Sequence, residues 1–104
     1  MTEAKFDDLI HAPTRLAIVA LLAATEWAEF RYSRDAVGLS DSALSKQLTT
    51  LDENGYVEID KGYAGKRPRT TARLTTAGRK AFAGHIAALQ AIVAQAGATV
   101  LPER

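Results

Sequence analysis

Residues 39–57, LSDSALSKQLTTLDENGYV, restrict the fold of this chain more than any other segment. Three leucines recur at positions i, i+4 and i+7, which is the spacing of one apolar helix face: Leu44, Leu48 and Leu51. Ser40 precedes this face as a candidate N-cap, and Asn54-Gly55 follows it as a stop signal. The segment therefore predicts a short amphipathic helix that packs on a core through its leucines.

The residues before this helix predict two further helices and a short strand. A helical turn is expected over residues 5–10, and a helix is expected to begin at Pro13, since a proline there loses no hydrogen bond. Residues 29–32 alternate and are aromatic, which indicates a strand. Ser33 is the candidate N-cap of a brief helix that ends at Gly38.

The residues after the leucine helix predict a hairpin and a long final helix. Residues 56–61 alternate in polarity, residues 62–68 are rich in turn formers, and residues 70–74 form a returning strand. Thr75 is a candidate N-cap for a helix over residues 76–96. Two short helices joined by a glycine turn form a helix-turn-helix, and a hairpin directly behind them adds a wing. The predicted fold class is α+β, mainly α: a winged helix-turn-helix with a three-helix core, a β-hairpin wing and a long C-terminal helix.

The length and composition predict one globular domain. Of 104 residues, 47% are hydrophobic and 24% are charged. We expect a core and wing over residues 6–75, a dimerisation helix over 76–96 and a frayed tail over 97–104. Cysteine is absent, which excludes disulfides and thiolate chemistry and fits a reducing compartment. The N-terminus does not resemble a signal peptide, and the longest apolar run, residues 16–24, is too short to span a membrane. We expect a cytoplasmic protein with no membrane contact.

Charge is distributed unevenly along the chain. Residues 61–80, KGYAGKRPRTTARLTTAGRK, hold 7 of the 13 basic residues and no acidic residue, whereas residues 1–60 carry 5 basic and 11 acidic residues. Cationic side chains at a stiff hairpin tip suit DNA phosphates and narrow minor grooves. The alternative is an ordinary solvated charge run. The absence of acids favours DNA binding.

The predicted recognition helix has an exposed face of small polar side chains around Lys46, with a single acid, Glu53, near its far end. Such a face fits a major groove and offers hydroxyl groups and an ammonium to bases or phosphates; the alternative is a solvated amphipathic helix. Whether Lys46 reads a base or only touches phosphate stays open. The candidate DNA-binding residues are Arg34, Ser40, Ser42, Ala43, Ser45, Lys46, Thr49, Thr50, Lys66, Arg67 and Arg69.

Three further basic residues of the same stretch are expected to matter less for DNA. Arg73 lies mid-strand and can pair with an acid across the hairpin. Arg79 and Lys80 lie in the first turn of the last helix, where they oppose the helix dipole, and this mild cost suggests another partner.

The chain contains no pattern typical of an enzyme or a metal site. It has two histidines, His11 and His85, which can meet across a helix pair, but a metal site needs three or four ligands. No nucleophile or phosphate-loop motif is present. We therefore predict no catalytic residue, no metal and no cofactor. Trp27, Phe30 and Tyr32 are expected in the core rather than around an effector, whose existence stays unknown.

Apolar surface is in excess for a domain of this size. The helix over residues 14–24 is apolar nearly all round, which places it in the core or in a subunit interface. A two-fold interface between copies would bury the excess. The candidate dimer-interface residues are Leu16, Val19, Leu22, Ile86, Leu89, Ile92 and Val93.

Residues 9–93 resemble the winged helix-turn-helix transcriptional regulators of the MarR and ArsR groups, above all the short, domain-only MarR-like type of actinobacteria. Three pieces carry the resemblance: LIHAPTRLAIVALL, GLSDSALSKQLTTLDENGYVEIDKG and GKRPRTTARLTTAGRKAF. It implies a dimeric DNA-binding repressor or activator whose first and last helices form the subunit interface. Gln47 stands where many relatives have histidine, which leaves the base preference open.

The leading hypothesis is a sequence-specific, DNA-binding transcriptional regulator that acts as a homodimer on a pseudo-palindromic operator. One alternative is a winged-helix protein-interaction module, since folds host several functions; the basic wing argues against it. The other is a non-specific DNA-packing protein, and a net charge of only +1 argues against that.

Overall fold

A computed structural model describes residues 2–99 of the chain. Five helices and three strands follow one another in these residues: α1 (Asp8–His11), α2 (Pro13–Ala23), β1 (Ala28–Glu29), α3 (Phe30–Val37), α4 (Asp41–Glu53), β2 (Val57–Ala64), β3 (Arg67–Leu74) and α5 (Thr76–Thr99). Helices α3 and α4 are the predicted helix-turn-helix, and β2 and β3 form the predicted wing.

The ends of the helices lie where side chains or glycine satisfy the free backbone groups. The Ser40 hydroxyl accepts a hydrogen bond from the Ala43 N–H at 3.1 Å, and the Thr75 hydroxyl accepts one from the Gly78 N–H at 3.0 Å. Gly38 ends α3 in the left-handed conformation, with φ of 73°, which glycine adopts without steric cost. The predicted N-caps Ser40 and Thr75 and the predicted stop at Gly38 are confirmed.

The sheet has the order β1-β3-β2 and is antiparallel throughout. Strands β2 and β3 pair from Val57 opposite Leu74 to Ala64 opposite Arg67. The turn between them contains only residues 65 and 66, and Gly65 has φ of 66°. The wing is therefore longer than predicted, because turn-forming residues near its tip pair across the hairpin.

Helix α3 begins four residues earlier than predicted, at Phe30. Ala28 and Glu29 pair with Ala72 and Thr71 of β3, so the short strand ends at Glu29 and the helix follows at once. Ser33 lies inside this helix and is buried, which rules out its predicted role as the N-cap.

One core lies between the helices and the inner face of the sheet. It contains Ile18, Val19, Leu22, Ala28, Leu44, Leu48, Leu51, Val57, Ala72 and Leu74. Val19 and Leu22 are fully buried within a single chain, so their predicted place in a dimer interface is wrong. The sheet and α4 cover the side of α2 on which they lie.

Only the first part of α5 packs on the rest of the domain. Gly78 lies against the backbone of Tyr56, and the N-terminal arm crosses the helix where the Lys5 N–H donates to the Gly84 carbonyl at 2.9 Å. From residue 90 to residue 97 the helix is exposed. It ends at Thr99, so residues 97–99 of the predicted tail are helical, and residues 100–104 lie outside the described part.

Candidate DNA interface

Helix α4 separates a buried face from an exposed polar face, as its sequence predicts. Leu44, Leu48 and Leu51 are buried in the core. The opposite side presents four exposed polar residues: Ser42, Ser45, Lys46 and Thr49. Glu53, one turn beyond Thr49, is also exposed on this side, so the face carries a single acid near its far end.

The residues at the margins of this face are partly engaged with the helix itself. The Ser40 hydroxyl caps the helix and lies 3.4 Å from the Ser42 hydroxyl. The Thr50 hydroxyl donates to the Lys46 carbonyl at 3.1 Å, so its remaining capacity is that of an acceptor. Ala43 is half-buried and offers only a methyl group.

Gln47 faces the domain rather than the exposed side of α4. Its amide oxygen accepts a hydrogen bond from Arg15 Nη1 at 3.1 Å, and Arg15 Nε donates to the Leu9 carbonyl at 2.6 Å. Arg15 thereby ties α4 to the end of α1.

Arg34 braces the turn between α3 and α4. Its guanidinium lies 2.9 Å from Asp35 Oδ1 and 2.8 Å from Asp41 Oδ1. The hydrogen bond to Asp35, followed by the one to Asp41, raises the pKa of Arg34, and Arg34 in turn lowers the pKa of Asp35. Arg34, a candidate DNA contact, is therefore already paired within the chain, and its bond to Asp41 links the end of α3 to the start of α4.

The wing tip presents the predicted cations Lys66 and Arg67, and both are exposed. They lie in and beside the two-residue turn, at the end of the hairpin away from the core. Their charges have no role in packing, as expected.

Arg69 differs from the predicted free tip residue. It lies within β3, where its guanidinium carbon is 5.1 Å from the centre of the Trp27 ring. Its Nη1 atom is 3.9 Å from Glu29 Oε2, and 36% of the side chain is exposed. The expectation that Arg69 has no packing role is wrong, because two residues around β1 hold it on the outer face of the sheet.

Two clefts lie beside the wing, one against α4 and one against the start of α3. One, of about 260 Å³, runs between Ser45 and Thr49 of α4 and Lys61 of the wing. A second, of about 200 Å³, is lined by Arg31, Arg67 and Arg69. Phe30 and Thr70 line both clefts, which are therefore contiguous.

Lys61 and Arg31 line these clefts but are not among the DNA-binding residues predicted from the sequence. Side chains alternate between the two faces of β2, so Lys61 lies on the same face as the buried Val57, towards α4. Its position could therefore have been predicted from the alternation of the strand. Arg31 has no such local signal, because its place beside β3 depends on the pairing of β1.

Two further basic residues of the stretch 61–80, Arg73 and Arg79, have partners inside the chain. Arg73 pairs with Glu58 across the hairpin. Arg79 donates to the carbonyls of Ala23 and Thr25 at 3.3 and 2.9 Å, where it satisfies backbone acceptors at and just beyond the end of α2. The expectation of partners other than DNA is confirmed for Arg73 and Arg79.

The aromatic residues between α2 and α3 lie mainly outside the core. Trp27 is 48% exposed and Tyr32 is 58% exposed, so the prediction that they are core residues is wrong. Phe30 alone packs against the core. The cause is the early start of α3, which turns Tyr32 towards solvent.

The two histidines meet but do not form a metal site. His11 Nδ1 lies 3.2 Å from His85 Nε2, and His85 Nδ1 accepts the Asp7 N–H at 3.0 Å. Across residues 2–99, no group of three or more histidine, cysteine, aspartate or glutamate side chains comes close enough together to hold a metal ion. Nor does any helix in this range have both the length and the apolar character to cross a membrane.

Comparison with known proteins places this geometry in a family. Residues 14–93 match the family described as winged helix DNA-binding domain. The uncharacterized protein MJ0432 of Methanocaldococcus jannaschii is 35% identical over 78 residues, which are 75% of this chain and 85% of that protein. A transcriptional regulator homologue from Pyrococcus horikoshii OT3 superposes with a TM-score of 0.81 at 26% identity, over 86% of this chain and 88% of its own.

A MarR family transcriptional regulator from Silicibacter pomeroyi DSS shares the fold, with a TM-score of 0.67 at 22% identity over 89% of this chain and 61% of its own. The family match covers both helices of the helix-turn-helix and the wing. The matched family is one of DNA-binding domains, and the solved structures named here are described as transcriptional regulators or their homologues, which are not enzymes, as expected for this protein. The chain belongs to the winged helix DNA-binding domain family and has the fold of MarR family transcriptional regulators.

Proposed function

We propose that this protein is a sequence-specific regulator of transcription in the cytoplasm that binds a pseudo-palindromic DNA site as a homodimer. One observation carries the proposal. The polar face of α4, whose one acid lies near its far end, adjoins a wing with the exposed cations Lys61, Lys66 and Arg67, and Lys61 lines the cleft between the two elements. Small hydroxyl groups beside a cationic groove suit a major groove flanked by phosphates.

The form of α5 supports a dimer. Its 24 residues span about 36 Å at 1.5 Å per residue, yet only its first part packs on the domain. The radius of gyration is 16.2 Å, against about 13 Å for a compact chain of this length. Ile92 and Val93 are 54% and 69% exposed, and Ile86 and Leu89 are half-buried. A second copy packed on this stripe would bury it, with the half-buried Leu16 of α2 as a further candidate.

A two-fold dimer sets the spacing of the DNA site. Two copies of α4 would enter successive major grooves about 34 Å apart, and the wings would lie on the flanking backbone. Half-sites one helical turn apart are therefore expected.

The first test concerns Lys46. DNA recovered from a random-sequence pool by the wild-type protein supplies the specific site. If Lys46 reads a base, Lys46→Ala should weaken specific binding by about 1–3 kcal/mol and leave binding to random DNA nearly unchanged. If it touches phosphate, both affinities should fall equally. Lys80→Ala, a lysine on α5, is the control, and unchanged specific binding by Lys46→Ala would remove α4 from the proposal.

The second test concerns the wing. Each phosphate contact adds about −0.9 to the log–log dependence of affinity on salt. Lys66→Ala combined with Arg67→Ala should flatten this slope by about 2 per subunit if both touch phosphate, without changing the melting temperature, because exposed tip charges contribute little to stability. A wild-type slope in the double variant would mean that the tip is only a solvated charge run.

The third test concerns the dimer. Light scattering at tens of micromolar should give twice the mass of the chain, and Val93→Glu should give a monomer. Ala91→Glu is the matched control, since residue 91 lies 200° around the helix from residue 93 at 100° per residue. A wild-type monomer, or equal effects of both substitutions, would contradict the proposed interface.

A further inference from the structure

Trp27, the only tryptophan of the chain, lies beside the wing with nearly half of its surface exposed. A tryptophan in such a place has a large apolar surface in water, which is unfavourable unless something covers it. The guanidinium of Arg69 lies over its ring, 5.1 Å from the ring centre. This distance is within the range of a cation–π interaction, which is strongest with tryptophan.

We propose that Trp27 is a positioning residue that holds the Arg69 guanidinium ready for the DNA backbone. The proposal rests on the proposed function, because it concerns how that function's wing is aimed. An unrestrained arginine on an exposed strand samples many rotamers and loses that freedom when it binds a phosphate. An arginine already stacked on a fixed ring has lost part of this freedom before DNA arrives.

The stack leaves the arginine able to bind phosphate. Stacking uses the flat face of the guanidinium, whereas hydrogen bonds to phosphate oxygens use N–H groups in its plane. Both interactions can exist together on one side chain. Trp27 therefore need not release Arg69 when DNA binds.

Glu29 acts in the opposite sense. Its Oε2 atom lies 3.9 Å from Arg69 Nη1, which is too long for a hydrogen bond. The contact is a partly exposed charge attraction that a phosphate can replace. Glu29 competes with DNA for the edge of the guanidinium, while Trp27 holds its face.

The register of β1 explains why these three residues meet. Glu29 lies opposite Thr71, two residues along β3 from Arg69, so Glu29 and Arg69 are diagonal neighbours on the same face of the sheet. Trp27 precedes the same two-residue strand and lies on the same face, since Ala28 between them points into the core. Pairing of β1 with β3 thus brings the ring to the wing.

The stack can be tested without DNA. Because the chain has one tryptophan, its fluorescence reports on this site alone. Arg69→Ala should change the emission of Trp27 and its quenching by acrylamide, and Arg67→Ala, at the tip, should not. Equal spectra for wild type and Arg69→Ala would overturn the stack.

The positioning role is tested by a double-mutant cycle on binding to the selected DNA. Trp27→Leu keeps an apolar side chain but removes the π face, and it should weaken binding about two- to five-fold per wing. The same substitution in an Arg69→Ala background should have no effect. Trp27→Phe should restore most of the affinity, and Glu29→Gln should raise it.

The outcomes separate this inference from the proposed function. Equal losses from Trp27→Leu in both backgrounds, or no loss in either, would overturn the positioning role while wild-type binding leaves the proposed function standing. If the wild-type protein binds no DNA, the proposed function fails and the inference fails with it, whatever the fluorescence shows. Melting curves of each variant establish that affinities are compared between folded proteins.

Discussion

Replacing Gly78 by alanine separates the effect of helix propensity on stability from the effect of packing in this fold. Gly78 lies in the first turn of α5. In an exposed helix, alanine is about 1 kcal/mol more favourable than glycine, so helix propensity alone predicts a more stable protein. In this structure, a Cβ atom on Gly78 would lie 2.9 Å from the carbonyl carbon of Tyr56 and closer still to its oxygen. That is backbone, which cannot rotate away.

The contact geometry sets the size of the effect. Forcing a methyl group into a packed site costs about 1–3 kcal/mol. Moving α5 away also stretches the hydrogen bond from the Thr75 N–H to the Tyr56 carbonyl, now 3.1 Å long, which contributes about 1 kcal/mol. Set against the gain in propensity, the net expectation for Gly78→Ala is a loss of about 2 kcal/mol. For a domain of this size, that loss lowers the melting temperature by roughly 8–16 °C.

The matched control is Gly97→Ala in the same helix. A Cβ atom on Gly97 has nothing within 4 Å, so only propensity acts, and stability should be unchanged or slightly higher. Both variants and the wild type would be unfolded by heat and by urea under circular dichroism, at one fixed concentration because self-association changes apparent stability.

The two glycine variants are expected to change the free energy of unfolding in opposite directions. If Gly78→Ala is as stable as the wild type, or follows Gly97→Ala, then α5 does not sit against the strand that follows α4 as described. The angle between the recognition helix and the proposed dimer helix would then be set by something else.

Three further predictions concern a cap, an ion pair and a histidine. Ser40→Ala should lower the free energy of unfolding in urea by about 1 kcal/mol, because it removes the N-cap of α4. Ser42→Ala, two residues further on and exposed, should lower it much less. Arg73→Ala should leave the urea midpoint unchanged, because its ion pair on the wing is exposed on both sides; a clear loss would show that the pair holds the hairpin. Burial, and then the charge of the neighbouring His11, lower the pKa of His85. The unfolded chain therefore takes up the proton first as the pH falls below the ordinary value of about 6.5. Urea midpoints should be constant above about pH 7 and fall towards pH 5, and a midpoint that rises with acid would contradict this sign.

The local features of the fold could be predicted because neighbouring residues determine them. Ser40 and Thr75 cap helices through bonds to residues three positions ahead. The leucines of α4 share one face through the helical repeat alone. The exposed face of α4 and the cations of the wing tip follow from the same short-range rules, and the structure places them as predicted.

Other features depended on which distant segments meet. The pairing of β1 with β3 brings together residues more than forty positions apart, and it decides where α3 begins, why Trp27 lies on Arg69, and why Arg31 joins the cleft. The secondary-structure propensity of the residues in β1 does not predict that pairing. An aromatic pattern such as that around Trp27 looks the same whether the ring is buried or stacked on a cation.

The sequence by itself determined the types of element, their caps, and the polar face and basic tip that a DNA-binding protein needs, because these depend on periodicity and on charge. Only the tertiary structure decided which apolar residues of α2 are buried in the core. Val19 and Leu22 are covered within one chain, whereas Ile92 and Val93 remain exposed on the projecting end of α5. The physical reason is that burial is a property of the neighbours a side chain acquires on folding, and a run of apolar residues has the same sequence whichever neighbours those are.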